Sequence, residues 1–320
     1  MTAAATKAFA SAADLEEKKV TFAELAPGLY AYTAEGDPNS GIIVGDDGVA
    51  VVDAQATPVM ARDVLARIRG VTDLPVTHVI LSHYHAVRVL GASAYGAHSI
   101  VASQGTLELI RERGKQDWES ELGRFPRLFR AAESVPGLTW PNLVFDRRLS
   151  LFLGQRELQV LHLGRGHTQG DTVVWLPREK VLYSGDLVEF GATPYCGDAH
   201  FRDWPATLDR LLDLGPQKLV PGRGEALTNA ADCRRAIAGT RDFLKALFAL
   251  AEEGAAKGEG LKAIYDRAME TLAPKYGHWV IFQHCMPFDV TRAVDEAQGH
   301  ARPRIWTAER DREMWATLAG

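Results

Sequence analysis

LSHYHAVR, residues 81–88, joins an apolar run to two histidines in an H-x-H spacing. The preceding run, residues 77–81 (THVIL), is β-branched or apolar without a helical period, which is typical of a buried strand. Side chains alternate along an extended chain, so His83 and His85 are expected to point to the same side. Chemistry in α/β folds usually lies at the ends of such strands. The segment therefore predicts two metal ligands at the edge of a sheet.

Two later glycine-rich loops carry further metal-competent side chains. GRGHTQGD, residues 164–171, supplies His167, and YSGD, residues 183–186, supplies Asp186. A third histidine from another loop would complete a facial set of ligands and leave an open position for water. Such a metal would lower the pKa of that water to about 7. Asp186 offers a further metal-competent carboxylate, and Asp171 is expected to support the loop that carries His167.

Short β-type and helical runs alternate through the first two thirds of the chain. Strands are predicted at 29–32, 41–44, 49–53, 77–81, 99–102, 172–176 and 181–183, with a hairpin over 149–163. Helices are predicted at 58–69, which Gly70 can cap, and at 106–121. The segment 126–141 is expected to be a flap or loop.

The composition becomes helical after residue 222. Helices are predicted at 230–253, 260–272 and 305–318, and no internal repeat interrupts the pattern. We therefore divide the chain into an N-terminal arm or helix at 1–21, a catalytic domain at 22–228 and a helical extension at 229–320. The extension is expected to pack on the catalytic domain and shape its pocket.

Composition and charge exclude several classes of protein. Of the 320 residues, 46% are apolar and 24% charged, as in an ordinary globular protein. The formal net charge of −5 gives no general attraction to nucleic acid or to an anionic membrane. Three scattered cysteines predict neither a disulfide framework nor a cysteine-based zinc site. Without an apolar export core near the N-terminus, we expect a cytoplasmic protein.

In these motifs the chain resembles the metallo-β-lactamase superfamily, over roughly residues 22–225. The metal loop of that family reads H-x-H-x-D-H, followed by G-H-T-x-G, a G-D segment and a late G-H. His83, His85 and His167 match the ligands of its first metal site, and Asp186 matches the carboxylate that often bridges two metals. Asp53 matches a buried acid that usually supports the metal loop.

What the resemblance implies is an α+β fold, a four-layer αββα sandwich with metals at one edge, here with a C-terminal helical extension. The second metal site departs from the family pattern. Val87 stands where the family has its metal-loop aspartate, and Arg88 and Arg223 replace the two histidines of that site. Arginine keeps its proton and has no lone pair to donate. The chain is therefore expected to hold one metal.

The two arginines have two interpretations that the sequence leaves open. Arg88 and Arg223 could bind an anionic group of a substrate where a second metal would lie, since guanidinium groups bind oxyanions in a bidentate way. Alternatively, they only neutralise Asp186 and neighbouring acids. Because Val87 cannot orient water as the family aspartate does, Asp186 is the expected base.

Four further residues are candidates for the site. Tyr84, inside the metal loop, and His200, on the loop after Asp186, are candidate substrate-binding residues. His284 and Cys285 would complete an altered site if the helical extension folds back over the pocket, although a buried cysteine usually only packs.

These observations predict a hydrolase that uses one divalent metal and cleaves an ester, thioester, lactone or amide of a small anionic substrate. Zinc is the expected metal for a three-histidine site, and iron or manganese is compatible with it. One alternative is iron-dependent redox chemistry of sulfur or oxygen, suggested by a loose likeness to the SoxH-like branch of the family. The other is a catalytically weak, metal- or ligand-binding relic. The expected partner is a small-molecule substrate, and a homodimer is left open. Binding to nucleic acid or to a membrane is not expected.

Overall fold

Two mixed β-sheets lie face to face between two layers of helices in the computed structural model, which describes residues 10–319. This is the four-layer αββα arrangement with helices at the C-terminus, so the predicted fold class is confirmed. The predicted arm at 1–21 lies partly outside the described residues. Its described part contains a 3₁₀ turn at Ala10–Ala13 and already enters the first strand at Val20.

The first sheet has seven strands in chain order. Its strands are β1 Val20–Ala26, β2 Leu29–Ala34, β3 Asp37–Val44, β4 Val49–Val52, β5 Val76–Ile80, β6 Ser99–Ser103 and β7 Leu143–Phe145. Pairing is antiparallel from β1 to β4 and parallel from β4 to β7. The carboxyl ends of β4 and β5 therefore meet at one edge, where Asp53 and the metal loop follow.

The second sheet has five strands in the order β12-β11-β10-β9-β8. Its strands are β8 Arg148–Leu153, β9 Arg156–Leu161, β10 Val173–Leu176, β11 Val181–Tyr183 and β12 Lys218–Val220. Only the β11–β12 pair is parallel. The loops after β9, β11 and β12 carry His167, Asp186 and Arg223, so the sheet order brings three distant segments together.

The helices cover the outer faces of the two sheets. They are α1 Pro58–Arg69, α2 Ala86–Val89, α3 Gln104–Arg124, α4 Trp204–Asp213, α5 Ala230–Ala256, α6 Leu261–Tyr276, α7 Phe282–Ala297 and α8 Ala308–Ala319. Further 3₁₀ turns are at Leu90–Tyr95, Pro126–Phe129, Ala132–Ser134 and Gly185–Leu187. The predicted flap at 126–141 thus consists of turns and irregular chain.

Strand alternation explains how one strand serves two cores. Val49 and Val51 of β4 belong to the apolar cluster shared with α1 and α3, whereas Ala50 and Val52 belong to the cluster between the sheets. All four are buried, as expected for a strand covered on both faces.

Helix α7 and helix α4 are absent from the sequence prediction. In α7 every residue except Gln283 and Ala297 is buried, and Pro287 lies inside the helix. An internal proline argues against a helix, so the sequence does not reveal α7.

The C-terminal helices share one apolar cluster with the second sheet. Helix α5 begins after Asn229, whose side chain accepts a hydrogen bond from the backbone N–H of Asp232, 3.0 Å away. Side chains of α5, α6 and α7 lie in the same cluster as Val173 and Leu182 of the sheet. The division of the chain at 228/229 stays a prediction.

No helix within residues 10–319 has the length and apolar character needed to cross a membrane. The three cysteines, Cys196, Cys233 and Cys285, are free and buried.

Truncating a core side chain of α5 tests whether the helices unfold with the sheets. Phe243 is fully buried, with its ring centroid 5.2 Å from that of Tyr276. We expect Phe243→Ala to lower the free energy of unfolding by about 3–5 kcal/mol, through lost burial and the cavity left behind. Phe152, 63% exposed, gives the control: Phe152→Ala should change it by less than about 0.5 kcal/mol.

Urea unfolding followed by circular dichroism and by tryptophan fluorescence provides the measurement. One shared transition for both probes is expected from the shared cluster. Two transitions, with only one shifted by Phe243→Ala, would show that the helical segment folds as a separate unit.

Candidate metal centre

Three histidines from two loops meet at the edge of the sandwich. His83 and His85 follow β5, and His167 lies in the loop between β9 and β10. One ring nitrogen of each lies within 4.8 Å of those of the other two, and within residues 10–319 they form the one such group. Their ring centroids are 4.6–4.8 Å apart, and the rings stand nearly perpendicular to one another.

The outer nitrogen of each ring has a defined acceptor. His167 Nδ1 lies 2.8 Å from the carbonyl oxygen of Tyr195, which can only accept a proton. His85 Nε2 lies 3.1 Å from a carboxylate oxygen of Asp198. These two contacts place the proton on the outer nitrogen of His167 and of His85. The inner nitrogens, His167 Nε2 and His85 Nδ1, are then left with lone pairs.

The third ring is held by a serine and an aspartate. Ser82 Oγ donates to Asp53 Oδ2 at 2.8 Å, so it accepts from His83 Nδ1, also 2.8 Å away. The backbone N–H of Ser82 donates to the other oxygen of Asp53 at 2.8 Å. The buried acid therefore holds the metal loop through Ser82, and His83 Nε2 is left with its lone pair inward.

The three inward lone pairs fit a cation. His83 Nε2 is buried and has no hydrogen-bond partner, and His85 Nδ1 lies only 3.0 Å from His167 Nε2. Two lone pairs at that distance repel unless a proton or a metal ion lies between them. Outer partners that fix the tautomer of each ring are the usual surroundings of ligating histidines. The donor set therefore suits a divalent metal with nitrogen ligands.

Burial and nearby charges shift the pKa values of the three histidines in different directions. Burial lowers the pKa of His83 well below its usual value and that of His167 to about 3, which favours the neutral ligand form. Burial acts on His85 in the same direction, but the charge of Asp117 and the hydrogen bond to Asp198 outweigh it and raise its pKa to about 9. A cation at the centre would take the place of that extra proton.

Asp198 is the main residue that the sequence reasoning missed. Its carboxylate accepts from Tyr84 Oη at 2.6 Å, from His85 Nε2 and from Arg113 Nη1 at 3.0 Å. Burial alone would raise the pKa of Asp198, but the hydrogen bond from His85 and the charges of His85 and Arg113 hold it well below the usual range. Tyr84 is thus buried, with its hydroxyl held by Asp198, and its predicted role in substrate binding stays a prediction.

Two acids of α3 hold the backbone that follows His85. Asp117 accepts from the N–H of Ala86 at 2.7 Å, and Glu121 from the N–H of Val87 at 3.0 Å. Their i, i+4 spacing puts both on one face of a helix. That spacing was visible in the sequence, where it is equally typical of a solvent-exposed face.

Asp171 supports the loop that carries His167. It accepts from the backbone N–H of Thr168 at 3.0 Å and from the Thr168 hydroxyl at 2.7 Å. Burial raises the pKa of this carboxyl to about 7. Asp171 thus lies behind the ligand loop, as Asp53 does on the other side.

Asp186 lies beside the histidines and between two arginines. Its Oδ2 is 3.8 Å from His83 Nε2 and 3.8 Å from His167 Nε2. The group whose ligand atoms all lie within 4.8 Å of one another contains the three histidines and not Asp186. Arg223 Nη1 donates to Oδ2 at 3.0 Å, and Arg88 Nη2 donates to Oδ1.

These contacts determine what Asp186 can do. Burial favours the neutral acid, yet Arg88 and Arg223 hold the pKa of Asp186 well below its usual range. A carboxylate so stabilised is a weak base, since an efficient base has a pKa near the working pH. The geometry therefore favours an ionised, orienting carboxylate over the predicted general base.

Arg88 is enclosed by protein. It is fully buried, and its guanidinium donates to the carbonyl oxygens of Asn39 at 3.0 Å and Gly222 at 2.8 Å, besides Asp186. Gly222 makes this approach feasible, because a Cβ there would lie 2.2 Å from Asp186 Oδ1. For Arg88 the geometry favours the neutralising interpretation over substrate binding.

A cavity of about 20 Å³ opens beside the histidines, room for about one water molecule. His85, Asp186 and Arg223 line it, and α7 contributes His284 and Cys285. The helical segment thus folds back over the site, as the sequence reasoning required for these two residues. Neither joins the three-histidine group. His200 lines a different, outward-facing pocket.

A family model described as the metallo-beta-lactamase superfamily matches residues 33–223. The chain belongs to the metallo-β-lactamase superfamily. Members of this superfamily are mostly metal-dependent hydrolases, and their fold usually binds divalent metals, typically zinc.

Curated relatives include type 2 metallo-beta-lactamases. The Bacillus cereus enzyme is 25% identical over 205 residues, which cover 62% of this chain and 71% of the relative. The Pseudomonas aeruginosa enzyme is 25% identical over 254 residues, covering 75% of this chain and 92% of the relative.

Two solved structures show the same superfamily fold. An inverting sec-alkylsulfatase from a Pseudomonas species superposes with a TM-score of 0.70 at 18% identity, over 87% of this chain and 50% of its own. A metallo-beta-lactamase from Pontibacter korlensis gives 0.56 at 21% identity, over 71% and 99%. The chain therefore spans about half the length of the sulfatase, and both likenesses concern the fold alone.

The role of Asp198 can be tested by metal affinity. We expect Asp198→Asn to weaken zinc binding about 10–100-fold. An uncharged amide accepts the hydrogen bond from the outer N–H of His85 more weakly than a carboxylate does. Competition with a chromophoric chelator measures the affinity. Asp203→Asn, at a carboxylate with a 41% exposed side chain, serves as the control and should bind zinc like the wild type. Equal affinities for all three proteins would contradict the role of Asp198.

The raised pKa of Asp171 predicts a pH dependence of stability. Its carboxyl ionises near pH 4 in the unfolded chain but near pH 7 in the folded one, so the folded state binds the extra proton between these values. The free energy of unfolding of wild type, relative to Asp171→Asn, should therefore fall as pH rises from 4 to 7, by at most about 1.4 kcal/mol per pH unit. Urea unfolding of the chelator-treated proteins measures it, and parallel pH profiles would contradict it.

Proposed function

We propose that the protein is a hydrolase that uses one divalent metal ion, zinc in the first instance, held by His83, His85 and His167. Its substrate is a small anionic ester, thioester, lactone or amide. The observation that carries the proposal is the set of three inward lone pairs, each fixed by an acceptor on the outer side of its ring. A cluster of core histidines without a ligand would satisfy its inner nitrogens, but His83 Nε2 has no partner.

The residues around that site have distinct roles. When bound, a divalent cation polarises a carbonyl and lowers the pKa of a water molecule. Ser82, Asp198 and the carbonyl of Tyr195 keep the three rings in the ligating orientation, so no reorientation is needed during turnover. Deep burial excludes bulk water and strengthens each electrostatic contact.

Asp186 orients the attacking water. Its Oδ2 lies 3.8 Å from two of the inner nitrogens, which lets it accept a hydrogen bond from a water molecule held between them and the substrate. Arg88 and Arg223 keep this carboxylate ionised and fixed in direction. Val87, in place of the family aspartate, supplies no second acceptor.

Membership of a superfamily made up mostly of metal-dependent hydrolases supports the reaction type. The substrate class remains a proposal at about 25% identity to the lactamases. Because a structural neighbour is an alkylsulfatase, sulfate esters belong in the substrate panel with carboxylic esters, thioesters, lactones and β-lactams.

Elemental analysis and metal exchange test the proposal. Protein purified without added metal should contain about one equivalent of zinc per chain, lose its hydrolysis with a chelator and regain it with zinc. We expect His167→Ala to lower kcat/KM about a hundredfold or more, because the metal supplies several kcal/mol of transition-state stabilisation. His278→Ala, at an exposed histidine, should retain full activity.

The other outcomes are equally informative. Two equivalents of metal per chain would refute the loss of the second site. Folded protein that binds no metal and cleaves no member of the panel would indicate the relic. Iron in the purified protein together with oxygen uptake would favour redox chemistry.

A further inference from the structure

The cavity beside the histidines contains a second arginine that the sequence motifs do not reveal. Arg124, at the end of α3, lines it together with Arg223, His85 and Asp186. Arg124 is 3% exposed and Arg223 7% exposed, so both cations lie inside the protein. Two buried guanidinium groups on one cavity of about 20 Å³ require anionic groups beside them, and Asp186 and Glu121 are among its lining residues.

The hydrogen-bond donors of Arg124 are only partly used by its neighbours. Its Nη1 donates to the hydroxyl of Tyr195 at 3.1 Å, whereas its Nη2 lies 3.9 Å from Glu121 Oε1, beyond hydrogen-bond distance. Its Nε is buried and has no partner. A guanidinium offers five N–H donors, so this side chain keeps unused donor capacity beside the cavity.

Aromatic rings fix the direction of the Arg124 guanidinium. Its central carbon lies 4.2 Å from the ring centroid of Phe288 and 4.9 Å from that of Tyr195. Stacking of this kind holds the plane of the group without using its donors. Arg124 is therefore preoriented, and an incoming ligand need not order a flexible side chain.

Arg223 approaches the cavity from the other sheet. Its Nη1 donates to Asp186 at 3.0 Å and to Glu189 at 3.2 Å, and its backbone N–H also donates to Glu189. These contacts anchor the side chain beside Asp186, next to the histidines. Unlike Arg88, which does not line the cavity, Arg223 has access to a ligand there.

We propose that Arg124 and Arg223 together bind an oxyanion group of the substrate, a carboxylate or a sulfate, and so determine its specificity. This role rests on the proposed function, because the reacting bond must then lie between the two arginines and the three histidines. Guanidinium groups match the geometry of oxyanions through paired N–H donors, and in a buried site such bonds are strong. Arg124 thus takes the position in the anion site that the sequence reasoning gave to Arg88.

The size of the cavity sets a condition on binding. About 20 Å³ holds one water but not a carboxylate or sulfate with its organic group. The apolar wall of Phe125, Leu128 and Ile281 must therefore move outward when substrate enters. Ile281 has φ of 58°, a conformation that a β-branched residue rarely adopts, so this wall contains a strained point.

Anion binding to the zinc-loaded protein provides the first test. Sodium acetate and sodium sulfate are the probes, measured by calorimetry at constant ionic strength. We expect Arg124→Gln and Arg223→Gln each to weaken binding at least about tenfold, the usual effect of losing a charge-assisted hydrogen bond. Arg312→Gln, which removes the same charge from an exposed position on α8, should bind like the wild type. Equal affinities in all four proteins would overturn the proposal.

A pair of esters with the same leaving group provides the second test. p-Nitrophenyl acetate is neutral, and mono-p-nitrophenyl succinate carries a carboxylate. We expect Arg124→Gln to lower kcat/KM for the succinate about tenfold more than it lowers kcat/KM for the acetate. Arg124→Lys, which keeps the charge but loses the paired donors, should give an intermediate loss. If the glutamine variant does not fold, the lysine variant decides, and an unchanged ratio of the two substrates overturns the proposal.

The two tests separate this inference from the function on which it rests. Hydrolysis of the neutral ester without any anion binding would leave a hydrolase and remove the anion site. Anion binding that depends on both arginines, without hydrolysis of either ester or of the wider panel, would leave the anion site and refute the hydrolase.

Discussion

The site depends on how three buried imidazole rings are fixed from the outside. A carbonyl, a carboxylate and a serine hydroxyl each accept a hydrogen bond from the N–H of one outer nitrogen, so all three lone pairs point to one place. Without a metal ion, the two nitrogens that face each other at 3.0 Å need a shared proton, and His83 Nε2 has no partner. The fold therefore favours a cation between these nitrogens. The surrounding acids hold the rings and their loops in place.

The carboxylates around this centre are balanced without a second metal. Asp186 would be expensive to bury as an anion, and the guanidinium groups of Arg88 and Arg223 compensate for it. The close packing of this cluster leaves no room for a Cβ at Gly222. In the proposed one-metal site, Arg88 and Arg223 supply positive charge that is always present and cannot dissociate.

The sequence contains the ligands but hides their supports. His83 and His85 could be predicted because their spacing is local, and Asp53 and His167 because they lie in recognisable segments. Asp198 lies 113 residues from His85 along the chain, in a loop with no motif of its own, so only the fold reveals the contact. Arg124 was hidden for another reason: a charged helix face looks the same in sequence whether it meets solvent or a buried site. Helix α7 was missed because Pro287 lies inside it, and an internal proline argues against a helix.

The three histidines and the far wall of the cavity come from different parts of the chain. The match to the superfamily model ends at residue 223, and it includes the three histidines, Asp186 and Arg223. The far wall is built by Ile281, His284 and Cys285, from the segment that follows the match. Because Phe288 of the same helix stacks on Arg124, the added helices also set the direction of a cation inside the shared domain. In the proposed anion site, a change in α7 would alter which molecule is bound while the three histidines stay as they are, because function depends on the site and not on the fold alone.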